Sequence, residues 1–133
     1  MMVLIVEDDI LIGLALRMVL RIGGHEVMGP ATTADEALRL AMSRRPELAF
    51  VDIRIAGPED GIAVARMLTE RFGTSCLFLT AEVDQARNAR EAALGLVAKP
   101  YDPPELLRAV KVVAALRKGV VPEKMPRHLE LFR

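Results

Sequence analysis

The sequence "LIVEDD" at residues 4–9 ends a strongly apolar run in three adjacent acids. Like charges ~4 Å apart repel by about 4 kcal/mol at an effective dielectric of ~20, so either a cation offsets the repulsion or the acids lie in water. Three other polar side chains also stand at the ends of apolar runs. The complete set is Glu7, Asp8, Asp9, Asp52, Thr80 and Lys99.

Side chains of these types can together carry out phosphoryl chemistry. Two or three carboxylates at one point form a hard oxygen site, and Mg²⁺ commonly binds through one or two carboxylates while keeping several waters. Mg²⁺ would also neutralise charge during phosphoryl transfer. A carboxylate such as Asp52 can act as the nucleophile and form an acyl phosphate. Lys99 offers a point charge to a phosphoryl oxygen, and Thr80 offers a hydroxyl donor.

The elements that would position these side chains form an alternating pattern of short apolar segments and longer segments of helical period. This pattern predicts an α/β domain with a mainly parallel sheet, built from right-handed crossovers. The ends of such strands share one edge, where ligands bind. The predicted strands are Val3–Val6, Glu26–Met28, Leu48–Val51, Leu77–Leu79 and Leu96–Ala98. The predicted helices lie near 9–22, 34–44, 60–72, 83–94 and 103–118.

Composition excludes several other classes of protein. Eighteen basic and eighteen acidic residues give no net charge, so there is no general attraction to nucleic acid. The single cysteine, Cys76, excludes an internal disulfide and is expected to be a buried, inert thiol. No apolar run approaches the ~18 residues that span a membrane, and the first residues lack the features of a signal peptide. We therefore expect a cytoplasmic protein that binds neither nucleic acid nor membrane.

Four motifs occur in order at the ends of the predicted strands: "VEDD", "VDIRIAGPEDG", "LTA" and "KPY". In this combination the chain resembles the receiver domain of two-component response regulators over about residues 2–118. The resemblance implies a flavodoxin-like, doubly wound (βα)5 fold, with a five-stranded parallel sheet in the order 2-1-3-4-5 and helices on both faces. It divides the chain into a receiver domain at 1–118 and a C-terminal tail at 119–133.

The resemblance also implies roles for individual residues. Asp52 would be the phosphoacceptor, and Glu7 and Asp8 match the acidic pair of the family. With Asp52 and the backbone carbonyl of Arg54, this pair would hold Mg²⁺, the only cofactor expected. Thr80 would be the switch hydroxyl and Lys99 the ion-pairing lysine.

Further positions concern the tuning of the site. The bond between Lys99 and Pro100 is expected to be cis, as is usual in this family. Glu82 and Tyr101 are expected to modulate the site, and the side chain of Arg54 flanks it. Leu96 stands where the family often has an aromatic residue that couples the switch hydroxyl to the surface, so the chain departs from the pattern there.

The implied function is a signalling switch and not an enzyme. The phosphodonor would be a histidine kinase or a histidine phosphotransfer protein. The fourth helix, fifth strand and fifth helix would bind an unidentified downstream protein or form a homodimer. One alternative is a Mg²⁺-dependent aspartyl-phosphate phosphohydrolase, although such enzymes usually carry an acid where Arg54 stands. A second alternative is a pseudo-receiver that acts by binding alone, although both Asp52 and Lys99 are present.

Two expectations concern residues outside this site. The tail is interrupted by Pro122 and Pro126, and it either docks through Leu129, Leu131 and Phe132 or is a frayed terminus. Met18, Met42 and Met67 fall in helical patterns and are expected to fill the core, while His25 and His128 are expected to be ordinary surface or edge residues.

Overall fold

The predicted alternation of strands and helices is present in the structure, a computed structural model that describes residues 1–132. The strands are β1 (Met2–Val6), β2 (Glu26–Ala31), β3 (Leu48–Asp52), β4 (Ser75–Thr80), β5 (Gly95–Ala98) and β6 (Leu129–Leu131). The helices are α1 (Ile10–Ile22), α2 (Ala34–Ser43), α3 (Gly61–Phe72), α4 (Val83–Asn88) and α5 (Pro103–Arg117), with a 3-10 turn at Arg90–Ala92.

The strands form one sheet in the order β2-β1-β3-β4-β5-β6. The first five strands are parallel, and β6 is antiparallel to β5. The order of the first five and the mainly parallel character of the sheet match the prediction, but the expectation of only five strands was wrong. The reason is that an uncovered β5 would present a row of unpaired backbone groups, and the segment Leu129–Leu131 pairs with them.

Apolar side chains cover both faces of the sheet. Strand β1 is buried along its whole length, as its uninterrupted apolar sequence predicts. On one face the core includes residues of α1 and α5, and on the other it includes residues of α2, α3 and α4. Cys76 is completely buried, as expected, and burial raises the pKa of its thiol to about 12.

Two expectations about the helices were wrong. Met18 and Met42 are 65% and 74% exposed and do not fill the core, because their helices turn other residues toward the sheet. The fourth helix ends at Asn88 instead of continuing to residue 94. The N–H of Leu94, just before β5, donates to the carbonyl of Cys76 in β4, so the backbone must already be extended at Leu94. A 3-10 turn at Arg90–Ala92 makes the transition from helix to strand. Within residues 1–132, no helix is both long and apolar enough to cross a bilayer.

Candidate functional site

The polar side chains that end the predicted strands converge at one edge of the sheet. They surround an open cavity of about 340 Å³ beyond the carboxyl ends of β1, β3, β4 and β5. Every predicted site residue except Tyr101 lines this cavity. Its lining comprises Glu7, Asp8, Asp9, Ile12, Asp52, Arg54, Thr80, Ala81, Glu82 and Lys99.

Both carboxylate oxygens of Asp52 are held by donors. The Lys99 ammonium donates to Oδ2 at 2.8 Å, and the backbone N–H of Arg54 donates to Oδ1 at 3.0 Å. Lys99 is in turn fixed by its own backbone N–H, which donates to the carbonyl of Thr80, and the Lys99–Pro100 bond is cis as expected. The Asp52 side chain is 14% exposed, so it is oriented by the protein and still reachable from the cavity.

Glu7 is the buried acid of the site, with only 3% of its surface exposed. Burial raises the pKa of its carboxyl to about 7, and the negative charge of Asp52 acts in the same direction. The backbone N–H of Asp9 donates to Glu7 Oε2 at 3.2 Å and opposes this rise only in part. The repulsion seen in the structure therefore lies between Glu7 and Asp52, and not between the adjacent acids from which the sequence argument began.

The third acid of the sequence motif has a different task. Asp9 caps α1, since its Oδ1 accepts hydrogen bonds from the backbone N–H groups of Leu11 and Ile12 at 3.0 and 3.2 Å. Glu7 and Asp8 remain as the acidic pair that faces the cavity with Asp52.

This donor set suits one kind of metal ion. Among residues 1–132, no three carboxylate, imidazole or thiol side chains converge closely enough to enclose a metal by themselves. These described side chains alone therefore do not form a closed structural metal site in this cavity. Mg²⁺ differs in that it binds through one or two carboxylates and keeps several waters, which an open cavity with two adjacent carboxylates permits.

The hydroxyl of Thr80, the residue expected to act as the switch, is hydrogen-bonded to the backbone just before α4. Thr80 is buried, and its Oγ1 accepts a hydrogen bond from the backbone N–H of Glu82 at 2.8 Å. The Glu82 side chain forms a salt bridge with Arg54. This pair joins the loop after β4 to the loop after β3, and both residues line the cavity. The sequence placed these two side chains at the site, but it did not show that they pair with each other.

Gly61 supports the site without a chemically active side chain, and sequence reasoning missed it. Its N–H donates to the carbonyl of Ile53 at 2.7 Å at the start of α3. A Cβ at this position would overlap the carbonyl oxygen of Asp52. The only signal in the sequence was the "EDG" that closes the motif after Asp52.

Tyr101 lies beside the acidic cavity, in a second and more apolar groove of about 430 Å³. Burial raises the pKa of its phenol to about 12, and the charges of Glu7 and Asp52 act in the same direction. The groove is formed by α1 and the loop from β5 to α5, and Ile12 and Lys99 line both cavities. Its lining comprises Ile12, Ala15, Leu16, Val19, Lys99, Pro100, Tyr101 and Pro103.

The fold is that of a response regulator receiver. The model of the response regulator receiver domain family matches residues 3–111, and the chain belongs to this family. It is a receiver of two-component signal transduction with the flavodoxin-like fold, in a family of signalling switches rather than classical enzymes.

Individual relatives agree with this assignment. The phyllosphere-induced regulator PhyR of Methylorubrum extorquens is 34% identical over 103 residues, which cover 76% of this chain and 39% of the relative. The transcriptional regulatory protein PdtaR of Mycobacterium tuberculosis is 32% identical over 116 residues, covering 85% and 56%. The chain thus spans well under two thirds of either regulator.

Among solved structures, the chain is similar to the signal receiver domain of a modulated diguanylate cyclase from Desulfovibrio desulfuricans G20. The TM-score is 0.79 at 32% identity, and the similarity covers 88% of this chain and 95% of the other.

Proposed function

We propose that Asp52 accepts a phosphoryl group from a phosphohistidine of a kinase or phosphotransfer protein, and that the modified chain switches its binding to another protein. The observation that carries this proposal is the Asp52 carboxylate, held by Lys99 at 2.8 Å next to the buried Glu7 in an open cavity. A nucleophile, a cation for phosphoryl oxygens and carboxylates for a metal are thus together at one edge.

The reaction assigns a part to each side chain. An oxygen of Asp52 attacks phosphorus, the P–N bond of the donor breaks, and its electron pair returns to the imidazole. Lys99 and the hydroxyl of Thr80 then contact phosphoryl oxygens. Glu7, Asp8, Asp52 and the carbonyl of Arg54 would hold Mg²⁺, which neutralises phosphoryl charge when bound.

The salt bridge between Arg54 and Glu82 determines how far water reaches the product. Both residues line the cavity that contains Asp52, and the Arg54 side chain is 80% exposed, so the bridge opens at little energetic cost. In the closed position it shields the acyl phosphate from attack by water. We assign these two side chains to the lifetime of the phosphorylated state.

The exposed face of α1 is the proposed docking surface for the phosphodonor. Leu11, Met18 and Ile22 are 79%, 65% and 78% exposed, and Leu14 is 48% exposed between them. Among the exposed residues of this helix, Arg21 is the single charged one. Because the face adjoins the apolar groove beside Asp52, a helical donor that packs on α1 brings its histidine to the cavity.

The test is the intact mass of the chain after incubation with Mg²⁺ and acetyl phosphate. We expect one phosphate on the wild type, none on Asp52→Asn, and none when Mg²⁺ is chelated. Asp35→Asn, which removes an acid in α2, is the matched control and should be modified like the wild type.

Other results identify the alternatives. A folded chain that binds Mg²⁺ but gains no phosphate would be a pseudo-receiver. Phosphate released continuously in large molar excess over the chain would indicate a phosphohydrolase.

A further inference from the structure

The outer edge of β5 is covered by the chain's own C-terminal segment. Strand β6 pairs antiparallel with β5, with Leu96 opposite Glu130. Ala98 donates its N–H to the carbonyl of His128 at 2.9 Å, and Phe132 donates to the carbonyl of Leu94 at 2.9 Å. Gly95 permits this approach, because a Cβ there would overlap the carbonyl oxygen of Glu130.

Two side-chain pairs tie this strand to the flanking helices. Arg87 of α4 donates from Nε and Nη2 to the two carboxylate oxygens of Glu130, at 2.8 and 2.6 Å. On the other side, the imidazole of His128 contacts Glu105 of α5 at 2.5 Å. The segment after α5 thus fastens α4 and α5 to the edge of the sheet.

The pairing of β6 with β5 is weak enough to open while the rest of the domain stays folded. Strand β6 has only three residues, and Leu129 is its single buried one. The Arg87–Glu130 pair is bidentate but partly exposed, so its contribution is large enough to bias the attachment of a short strand and too small to make that attachment permanent. Short elements with few buried contacts open at a small fraction of the global free energy of unfolding.

A connected path leads from Asp52 to this ion pair. The Thr80 hydroxyl now accepts the N–H of Glu82, the residue before α4. No side chain caps this helix, which is six residues long and carries Arg87. A Thr80 hydroxyl that rotated toward a phosphoryl group would give up this hydrogen bond at the start of the helix that carries Arg87.

We propose that the β5 edge is an exchangeable strand-binding site. In the unphosphorylated chain it holds residues 129–132, and phosphorylation of Asp52 releases them. The edge then accepts an extended segment of a protein partner. This inference rests on the proposed function, because the phosphoryl group supplies the trigger.

The resident segment defines the chemistry of the partner. Its acid lies between two leucines, so that Glu130 meets Arg87 while Leu129 and Leu131 pack against the core. The main-chain bonds of β5 are available to any extended segment. Because Arg87 no longer lies beside this position in the phosphorylated chain, a partner should present two apolar residues at alternate positions of an extended segment, with no acid between them that needs Arg87.

The first experiment measures amide hydrogen exchange of the full chain with and without beryllofluoride and Mg²⁺, which mimic the phosphoryl group. We expect exchange at Ala98 and Phe132 to rise at least about fivefold with the mimic, the low end of typical couplings. Arg87→Ala should raise exchange at these amides without the mimic. By linkage, Arg87→Ala should also tighten beryllofluoride binding, by no more than the factor by which beryllofluoride itself favours opening.

Two sets of variants separate the ion pair from general effects of substitution. Arg44→Ala removes another ion-paired surface arginine, which contacts Glu26, and should leave exchange at Ala98 unchanged. Arg87→Glu combined with Glu130→Arg should restore wild-type exchange.

A second experiment supplies the strand in trans. A fluorescent peptide with the sequence of residues 127–132 and Glu130→Thr does not need Arg87, so it should bind the beryllofluoride-loaded chain at least about fivefold more tightly than the unmodified chain. The peptide with the native sequence, which loses its contact with Arg87 on loading, should show no such preference.

The outcomes distinguish the two proposals. If acetyl phosphate adds a phosphate to Asp52 but exchange at Ala98 and Phe132 is unchanged by beryllofluoride, the strand exchange is overturned and the proposed function stands. If no phosphate is added, the proposed function fails and the release loses its trigger, so both are overturned. Failure of the peptide to bind the loaded chain, with the tail released, refutes the strand-binding site itself.

Discussion

At the scale of single residues, the site contains a buried carboxyl, that of Glu7, without a cationic side chain hydrogen-bonded to it. Glu7 is almost fully buried, and its carboxyl lies close enough to Asp52 that both burial and charge raise its pKa. Lys99 is the ammonium that contacts Asp52, and Glu7 has no such partner among its hydrogen bonds. An ionised Glu7 therefore lowers the stability of the metal-free chain, and the Mg²⁺ that we propose would offset this cost.

Replacement of Glu7 tests this trade directly. Glu7→Gln keeps the shape and removes the buried charge, so the metal-free chain should become more stable at pH 8, on the order of 1–3 kcal/mol. The sign follows because a folded-state pKa raised above the ordinary value means that the ionised carboxyl opposes folding. Urea unfolding with a chelator measures the change.

Magnesium should reverse the order of the two chains. Adding Mg²⁺ should stabilise the wild type and leave Glu7→Gln nearly unchanged, because the variant lacks a ligand. Glu59→Gln, which neutralises an exposed acid, should behave like the wild type in both conditions. A Glu7→Gln chain less stable than the wild type without metal would contradict the argument.

The Arg54–Glu82 salt bridge makes a second prediction at this scale. Arg54→Ala and Glu82→Ala should each shorten the lifetime of the acyl phosphate, by up to about tenfold, because water then reaches the phosphoryl group. Decay of the phosphorylated mass after removal of the donor gives the rate.

The pair also has a signature that a general loss of stability lacks. The double variant should decay no faster than the faster single variant, since either change opens the same bridge. Arg44→Ala, which breaks the unrelated pair with Glu26, should leave the lifetime unchanged. Equal lifetimes in the wild type, the two single variants and the double variant would show that the bridge does not exclude water.

At the scale of elements, strand ends were predictable and contacts between elements were not. Asp52 ends β3 and Thr80 ends β4, and each follows an apolar run in its own strand. Covalent order alone therefore places both residues at the edge of the sheet. The pairing of His128 with Glu105 depends on how a segment 23 positions later folds back on α5, which no local pattern records. The same is true of β6, whose three residues carry too little periodicity to predict a strand.

Gly61 shows how an element must approach the site. Gly61→Ala should destabilise the chain by roughly 1–3 kcal/mol, because the new methyl group forces α3 away from the backbone of Asp52. Phosphorylation of the Gly61→Ala variant by acetyl phosphate should also be slower than that of the wild type. Gly23→Ala is the matched control, since a Cβ there meets chiefly the end of the Leu107 side chain, which can rotate. Thermal unfolding compares them, and equal losses would contradict this account.

The contact between the tail and α5 predicts a dependence on pH. The His128 imidazole lowers the pKa of Glu105, and Asp102 N–H and Arg108 act in the same direction. A depressed folded-state pKa adds stability that is present above 4.5 and lost as pH falls through the folded value. Glu105→Gln should therefore lose less stability than the wild type on acidification, as measured by urea unfolding. Glu123→Gln should follow the wild type, and identical curves for all three would exclude the contact.

At the scale of the whole molecule, the two proposed binding surfaces have opposite character. The α1 face is apolar, exposed and next to Asp52, whereas the β5 edge is covered by the chain's own strand. The first is open before phosphorylation and the second only after it. This order lets the chain bind a donor first and release a signal afterwards.

The open surface gives the last prediction. Leu11→Ser combined with Met18→Ser should leave phosphorylation by acetyl phosphate unchanged, because neither side chain reaches the Asp52 carboxylate. Transfer from a phosphotransfer protein that phosphorylates the wild type should fall at least about tenfold, since loss of a central apolar contact typically costs over 1 kcal/mol of binding. Met42→Ser is the matched control, because Met42 is 74% exposed on α2. Equal loss with both donors would mean that the substitutions damage the cavity, and no loss with either would mean that the donor docks elsewhere.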